Sequence, residues 1–215
     1  AGPLREAIVA QGLAKLNDEI EIPLVGVLAK MEHRGIGVDV GVLRSLNDEL
    51  TQEAEHERSR IISIAGEDFN VNSTPQMRHI LYEKLGLTPG RKTKTGYSTN
   101  QATLEKLRDD HEIIEHILRY REVEKLRSTY GEGLLSEVAS DGRIHATFNQ
   151  TVARTGRLSS DAPNLHNIPV RTDEGRRFRE AFVPDEGNEF LVADYNQIEL
   201  RVIAHLSNDP GLVEA

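Results

Sequence analysis

The sequence predicts an α+β chain in which a mainly helical region leads into the beginning of a mixed strand-and-helix region. Three observations predict it. Apolar residues recur at helical spacing between residues 19 and 65 and again between 111 and 129. At Asp141-Gly142 a turn opens a different pattern, in which Ile144, Ala146 and Phe148 alternate as in a strand. Further on, Phe190-Leu191-Val192-Ala193 reads as another strand, followed by a helical face of Ile198, Val202, Ile203 and Leu206.

Each element has its own signals. Residues 19–32 place Ile22, Val25, Leu28 and Met31 at helical spacing, and Pro23 suits the first turn. That helix is expected to stop near His33-Arg34-Gly35, with Gly35 in a left-handed C-cap conformation. Ile36-Gly37-Val38 is then a short extended piece, and Asp39 caps a long helix from about Gly41 to Ala65. Its apolar stripe is Leu43, Leu46, Leu50, Ala54, Ile61 and Ile64. A third helix is predicted over Thr74 to Leu85, with Ser73 and Gln76 at capping-box spacing, Pro75 in the first turn and Gly86 at the end. Residues 88–99 form a basic, glycine-punctuated loop. Helices follow at about 100–108 and 111–129, the second burying Ile113, Ile114, Ile117, Leu118 and Leu126. Residues 149–181 are expected to be irregular.

A chain of 215 residues with 38% hydrophobic and 28% charged residues has the length and composition of a globular protein with a real core. Trp and Cys are absent, so the core is aliphatic and disulfides and thiolate metal sites are excluded. The absence of Cys fits a reducing compartment. No apolar run is long enough to span a bilayer, so no membrane partner is expected. Residues 1–6 lack the basic segment and apolar stretch of a secretion signal. His33, His79, His111 and His116 lack ligand-like neighbours and read as surface residues, and His205 reads as structural.

The net charge of −9 argues mildly against a nucleic-acid partner. Residues 151–179 run the other way, with six Arg against three acids. Composition suits a solvated loop with scattered ion pairs slightly better than a track along phosphates. The window Phe190 to Leu206 reads as strand, turn and helix, with Asp194 at the strand end. A carboxylate there can bind a hard cation such as Mg²⁺ together with phosphate oxygens. On spacing alone the plainer reading leads: Asn196 and Glu199 form a capping box, and Asp194 complements the helix dipole.

The order of residues is more specific than their spacing. Asp194-Tyr195-Asn196-Gln197-Ile198-Glu199-Leu200-Arg201, continued by Val202-Ile203-Ala204-His205-Leu206-Ser207, resembles motif A of the family A DNA polymerases, with Asn196 in place of the usual Ser. Residues 155–171, from Thr155-Gly156-Arg157-Leu158-Ser159-Ser160 to Pro163-Asn164-Leu165-His166-Asn167-Ile168-Pro169, resemble the TGRLSS…PNLQNIP segment of that family, with His166 in place of Gln. The loop around Lys92 and Lys94 resembles a KT-TGYST loop, Leu126-Arg127-Ser128-Thr129-Tyr130 resembles LKSTY, and residues 21–39 resemble the lead-in to the polymerase domain. The resemblance extends from about residue 19 to the end.

That resemblance implies a DNA-directed DNA polymerase that extends a primer on a DNA template from dNTPs, in replication and repair. It implies a part of such an enzyme. Residues 1–18 would be the tail of a preceding exonuclease-like domain, 19–40 the lead-in, 41–140 the helical thumb, and 141–215 the first part of an antiparallel-sheet palm. The fingers and the second metal carboxylate would lie elsewhere. In it Asp194 ligates two Mg²⁺ ions and the Tyr195 backbone carbonyl ligates one. Glu199 lies under the sugar of the incoming nucleotide, with Gln197 and Ile198 beside it. Arg157, Asn164, His166, Asn167 and Arg171 contact primer or template. Arg91, Lys92, Lys94, Ser128 and Thr129 contact phosphates. The implied partners are primer-template DNA and dNTP, and the implied state is a cytoplasmic, nucleoid-associated monomer. The rival readings are a non-catalytic DNA-clamping module on the same framework and, less favoured for want of clustered acids, a metal-dependent nuclease using Asp194 and Glu199.

Overall fold

The computed structural model describes every residue except Ala1, Arg91, Lys94, Thr95, Arg171 and Ala215. It divides into two compact units, Ala1–Val183 and Pro184–Ala215.

The first unit begins with helix α1 (Gly2–Ala10) and the short α2 (Ala14–Leu16), which passes through a π-helical turn at Asn17–Glu21 into α3 (Ile22–Arg34). Pro23 sits in the first turn of α3, as its missing N–H allows. Gly35 ends that helix at φ 62°, ψ −170°, so it turns the chain straight into β1 (Ile36–Val38) rather than taking the left-handed cap predicted. A Cβ at Gly35 would lie 2.7 Å from the Ile144 carbonyl oxygen, so close strand approach as well as φ requires glycine here.

Asp39 caps α4 (Val40–Ala65) as predicted, its Oδ1 accepting from the Val42 N–H at 3.0 Å. Leu43, Leu46, Leu50, Ala54 and Ile61 are all buried along one face. The third helix is α5 (Thr74–Arg78), extended by a π-helical turn at His79–Lys84. Its capping box does not form. Ser73 makes no side-chain cap, and Gln76 Oε1 accepts the Asn70 N–H at 2.7 Å in place of the Ser73 N–H.

The predicted loop at 88–99 contains a small hairpin, β2 (Lys92–Thr93) with β3 (Gly96–Tyr97). Helix α6 (Gln101–Glu105) is shorter than predicted, and Asn100 caps it through Thr103 N–H at 3.0 Å. Then comes α7 (Ile113–Leu126), which buries Ile113, Ile114, Ile117 and Leu126 and continues through a π-helical turn at Arg127–Glu132 into α8 (Gly133–Ser136).

Helices α4 and α7 form the centre of the unit. Glu53 meets Arg119 at 2.7 Å and Glu57 meets His116 at 2.6 Å, so the two helices run antiparallel. His116 is thus a partly buried residue hydrogen-bonded to Glu57, not the surface residue predicted. Strands β4 (Arg143–Ile144) and β5 (Thr147–Asn149) follow, then β6 (Ser159–Asp161), α9 (Asp173–Glu180) and β7 (Phe182–Val183). β1 pairs antiparallel with β4 on one side and β7 on the other, while β5 pairs with β6. Residues 149–181 are therefore more ordered than predicted. Thr172 caps α9 through the Gly175 N–H at 3.1 Å, and Phe178 is fully buried.

The second unit holds α10 (Ile198–Ser207) and α11 (Pro210–Glu214). The strand predicted at Phe190–Ala193 is absent. A strand needs a neighbour to pair with, and among the described residues this segment has none, leaving Leu191 94% and Val192 90% exposed. Among the described residues no helix is long and apolar enough to cross a membrane.

Candidate nucleic-acid interface and metal ligand

The segment from Thr155 to Pro169 is built outward from buried anchors. β5 and β6 pair Thr147 with Asp161 and Asn149 with Ser159, so the connecting residues 150–158 project as a loop. Gly156 turns that loop at φ 77°, and Arg157 beside it faces solvent. Ser160 is fully buried, and its Oγ accepts the Leu165 N–H at 2.9 Å. Leu165–Asn167 then forms one 3₁₀ turn. Two successive carbonyls at its end are tied down: the Tyr130 hydroxyl donates to Asn167 O, and Arg179 Nη2 donates to Ile168 O at 3.3 Å. Ile168 is buried beneath.

This bracing presents Asn164, His166 and Asn167 to solvent on an ordered backbone. The His166 ring sits 6.0 Å from that of Phe148, tilted by 46°. Arg154 and Arg157 are also exposed. Arg171 lies outside the described residues.

The other described arginines of the basic stretch make contacts within the protein, as the reading of scattered ion pairs anticipates. Arg177 pairs with Glu49 of α4 at 2.8 Å, Arg176 pairs with Asp173 of its own helix, and Arg179 holds Ile168. Asp173 on the first turn of α9 and Glu49 on α4 thus neutralise Arg176 and Arg177 within the protein. Arg119 does the same on a larger scale, reaching Glu53, Glu122 and Glu174 at 2.7, 3.0 and 2.9 Å. Burial opposes its charge, but the three carboxylates outweigh it and raise its pKa.

Ser128 and Thr129 are exposed on the π-helical turn after α7, with the Ser128 hydroxyl donating to Lys125 O at 3.4 Å. Lys92 is exposed on the hairpin, its Nζ 5.7 Å from the centre of the Tyr97 ring. Arg78 Nε donates to Tyr97 O at 2.6 Å, and the Tyr82 hydroxyl donates to Ser98 O at 2.5 Å, fixing the hairpin to the π-helical turn that follows α5. Arg91 and Lys94 lie outside the described residues.

In the second unit, Asp194 and Tyr195 are exposed in irregular chain ahead of a turn at Asn196-Gln197. The cap of α10 is Gln197, in the left-handed region at φ 49°, with no side-chain cap. The predicted Asn196–Glu199 capping box does not form, because Asn196 lies one residue too early. Its carbonyl instead accepts from Arg201 Nε at 3.2 Å. Glu199 and Ile198 stand on the first turn of α10. His205 is exposed rather than structural.

The donor set suits a hard cation in kind, with one exposed carboxylate at Asp194 and the adjacent Tyr195 carbonyl. It does not suffice in number. Among the described residues no three His, Asp or Glu side chains cluster to hold a metal. Mg²⁺ bound here would need further ligands, from a second carboxylate, water and substrate phosphates.

The family model for DNA polymerase family A matches residues 40–215. The chain belongs to DNA polymerase family A. It is 49% identical over 99% of its length to DNA polymerase I of Geobacillus stearothermophilus and 52% identical over 95% to the thermostable DNA polymerase I of Thermus filiformis. It spans about a quarter of each of those family A relatives, 24% and 25% of their lengths. Among solved structures, it matches the POL domain of Pol1 from M. smegmatis, in complex with DNA primer-template and dNTP, with a TM-score of 0.91 and 43% identity. That match covers 99% of this chain and 38% of the other. The α+β architecture is that of part of a family A polymerase domain.

Two contributors to the site escape sequence reasoning. Tyr130 lies in the quoted Leu126–Tyr130 segment, but only its hydroxyl neighbours Ser128 and Thr129 stand out by type. Ser160 looks like one of two equivalent serines, yet it alone is fully buried and caps the turn. Its signal is the strand alternation of Ser159-Ser160-Asp161, which turns the middle residue inward.

Proposed function

We propose that this chain is the thumb and first palm region of a DNA-directed DNA polymerase that extends a primer on a DNA template from dNTPs, in replication and repair. The observation that carries this reading is its likeness, over nearly its whole length, to a polymerase domain solved with primer-template and dNTP. Residues 1–18 are the tail of a preceding domain, 19–40 the lead-in, 41–140 the thumb and 141–215 the start of the palm. The enzyme works as a monomer in the bacterial cytoplasm, at the nucleoid.

The residues divide the work by chemistry. Arg157, Asn164, His166 and Asn167 offer donors to the acceptors that every base pair presents in the minor groove, which checks pair geometry without reading sequence. Lys92, Ser128 and Thr129 approach phosphates. Arg91, Lys94 and Arg171 are assigned to the same DNA surface from the resemblance. Asp194 and the Tyr195 carbonyl hold Mg²⁺, which when bound supplies charge neutralisation for phosphoryl transfer. Glu199 stands under the nucleotide sugar, between Ile198 and the rest of α10, with Gln197 at the turn. One carboxylate is not a two-metal site, so the 215-residue chain alone binds DNA and does not polymerise.

The test is fluorescence anisotropy of a labelled primer-template with the 215-residue chain at low salt, followed by a templated incorporation assay. Weak binding that falls steeply with salt, and no incorporation, are expected. Absence of binding at low salt contradicts the DNA-surface assignment, and templated incorporation contradicts the assignment of the chain as half a site.

A further inference from the structure

The Tyr130 ring is buried, 5.8 Å from that of Phe178 on α9, and its hydroxyl donates to the Asn167 carbonyl. Thr129 and Ser128, directly before it, face solvent on the same π-helical turn. On the other side of that hydrogen bond, the side chains of His166 and Asn167 face solvent too. The bond therefore joins two surface features that are 37 residues apart in sequence. Burial raises the pKa of the phenol, so it stays a donor at neutral pH.

The backbone it grips has little else to hold its height. The 3₁₀ turn closes through an Ile168 N–H to Leu165 O bond of 3.5 Å, at the limit of a useful hydrogen bond. Ser160 fixes the start of the turn at Leu165, and Arg179 fixes the residue after it at Ile168. Between them, Tyr130 is the group that fixes Asn167 itself. A hydroxyl on a ring packed in the core is a rigid post, because burial leaves it few rotamers.

We propose that Tyr130 is a positioning residue for the DNA surface: its hydroxyl, acting through the Asn167 carbonyl, sets the placement of the Asn167 side chain against duplex DNA. This rests on the reading that Asn164, His166 and Asn167 face the primer-template. Tyr130 touches no DNA. Its effect passes through Asn167, so removing both groups should cost no more than removing Asn167 alone.

The test uses the 215-residue chain in four forms: unchanged, Tyr130→Phe, Asn167→Ala, and the double variant. Phe keeps the packed ring and removes only the hydroxyl. Affinity for a fluorescent primer-template duplex is read by anisotropy across a salt series. Amide hydrogen exchange at Asn167 and Ile168 is read without DNA. Tyr130→Phe is expected to speed exchange at these amides and to weaken duplex binding about fivefold, with the salt slope unchanged because no phosphate contact is lost. The double variant is expected to match Asn167→Ala. Unchanged exchange and unchanged affinity in Tyr130→Phe overturn the proposal, as do additive losses in the double variant. If the unchanged chain binds no duplex, the DNA-surface reading fails and takes the proposal with it. If it binds and Tyr130→Phe binds equally, only the positioning role fails.

Discussion

Arg177 on α9 reaches Glu49 on α4, its Nη2 lying 2.8 and 3.0 Å from the two carboxylate oxygens. The described arginines of residues 151–179 are all exposed but divide in use: Arg176 and Arg177 pair with Asp173 and Glu49 and Arg179 holds the Ile168 carbonyl, while Arg157 lies on the loop between β5 and β6. Arg177→Ala should leave duplex affinity within about twofold, and the exposed pair should be worth no more than about 1 kcal/mol of stability. Arg157→Ala, in the projecting loop, should weaken duplex binding about tenfold. Anisotropy and urea unfolding of both variants check this. Equal losses of affinity would mean that the division is wrong.

Burial differs as sharply between residues of similar hydrophobicity. Phe178 is fully buried against Tyr130, and Phe178→Ala should cost about 3–5 kcal/mol in urea unfolding. Leu191 is 94% exposed, and Leu191→Asn should change stability by less than about 0.5 kcal/mol. A large loss for Leu191→Asn would mean that this segment is packed in solution.

His145 links three parts of the chain. One ring nitrogen meets the Glu32 carbonyl at 2.7 Å and the other meets Asp141 at 3.1 Å. The Glu32 carbonyl and then Asp141 raise the pKa of His145 above its ordinary 6.5, and His145 in turn lowers that of Asp141. The raised histidine contributes stability that is full below its unfolded pKa of about 6.5 and is lost as pH rises through the higher folded value. The lowered Asp141 contributes stability above about pH 4, which is lost as pH falls through its folded value. Stability from the pair is therefore greatest between those limits. The gap in urea midpoint between the unchanged chain and His145→Gln should narrow as pH rises from 6 to 8.5. A gap that is constant over that range would contradict the linkage.

Much of this fold is legible in the residues. The stripe of α4, its Asp39 cap and the core of α7 are local patterns that survive into the structure, whereas the capping boxes at Ser73 and Asn196 do not. α9 is not legible, because Asp173-Glu174-Gly175-Arg176-Arg177-Phe178-Arg179-Glu180 offers one apolar residue and an interior glycine. Its reason is tertiary: Gly175 lies where any side chain would collide with Pro169, and Phe178 fills the core. The strand at Phe190–Ala193 fails for the opposite reason. Its composition is that of a strand, but a ladder depends on a partner that no local pattern supplies. In the candidate site the exposed side chains are legible by type and order. The posts that hold them are harder to read: Tyr130 reaches Asn167 across 37 residues, while Ser160 and Arg179 act over 5 and 11 residues through groups whose partners no periodicity names.

Asp194 is proposed as a metal ligand of a polymerase. The most direct test grafts this chain in place of the matching segment of the Geobacillus stearothermophilus DNA polymerase I, to which it is 49% identical. Primer extension and primer-template affinity are then measured with and without Asp194→Ala. The account predicts that the graft extends the primer, and that Asp194→Ala lowers incorporation at least about a thousandfold, roughly 4 kcal/mol of barrier, while duplex affinity stays within about threefold. Incorporation by Asp194→Ala at the rate of the unchanged graft would contradict it.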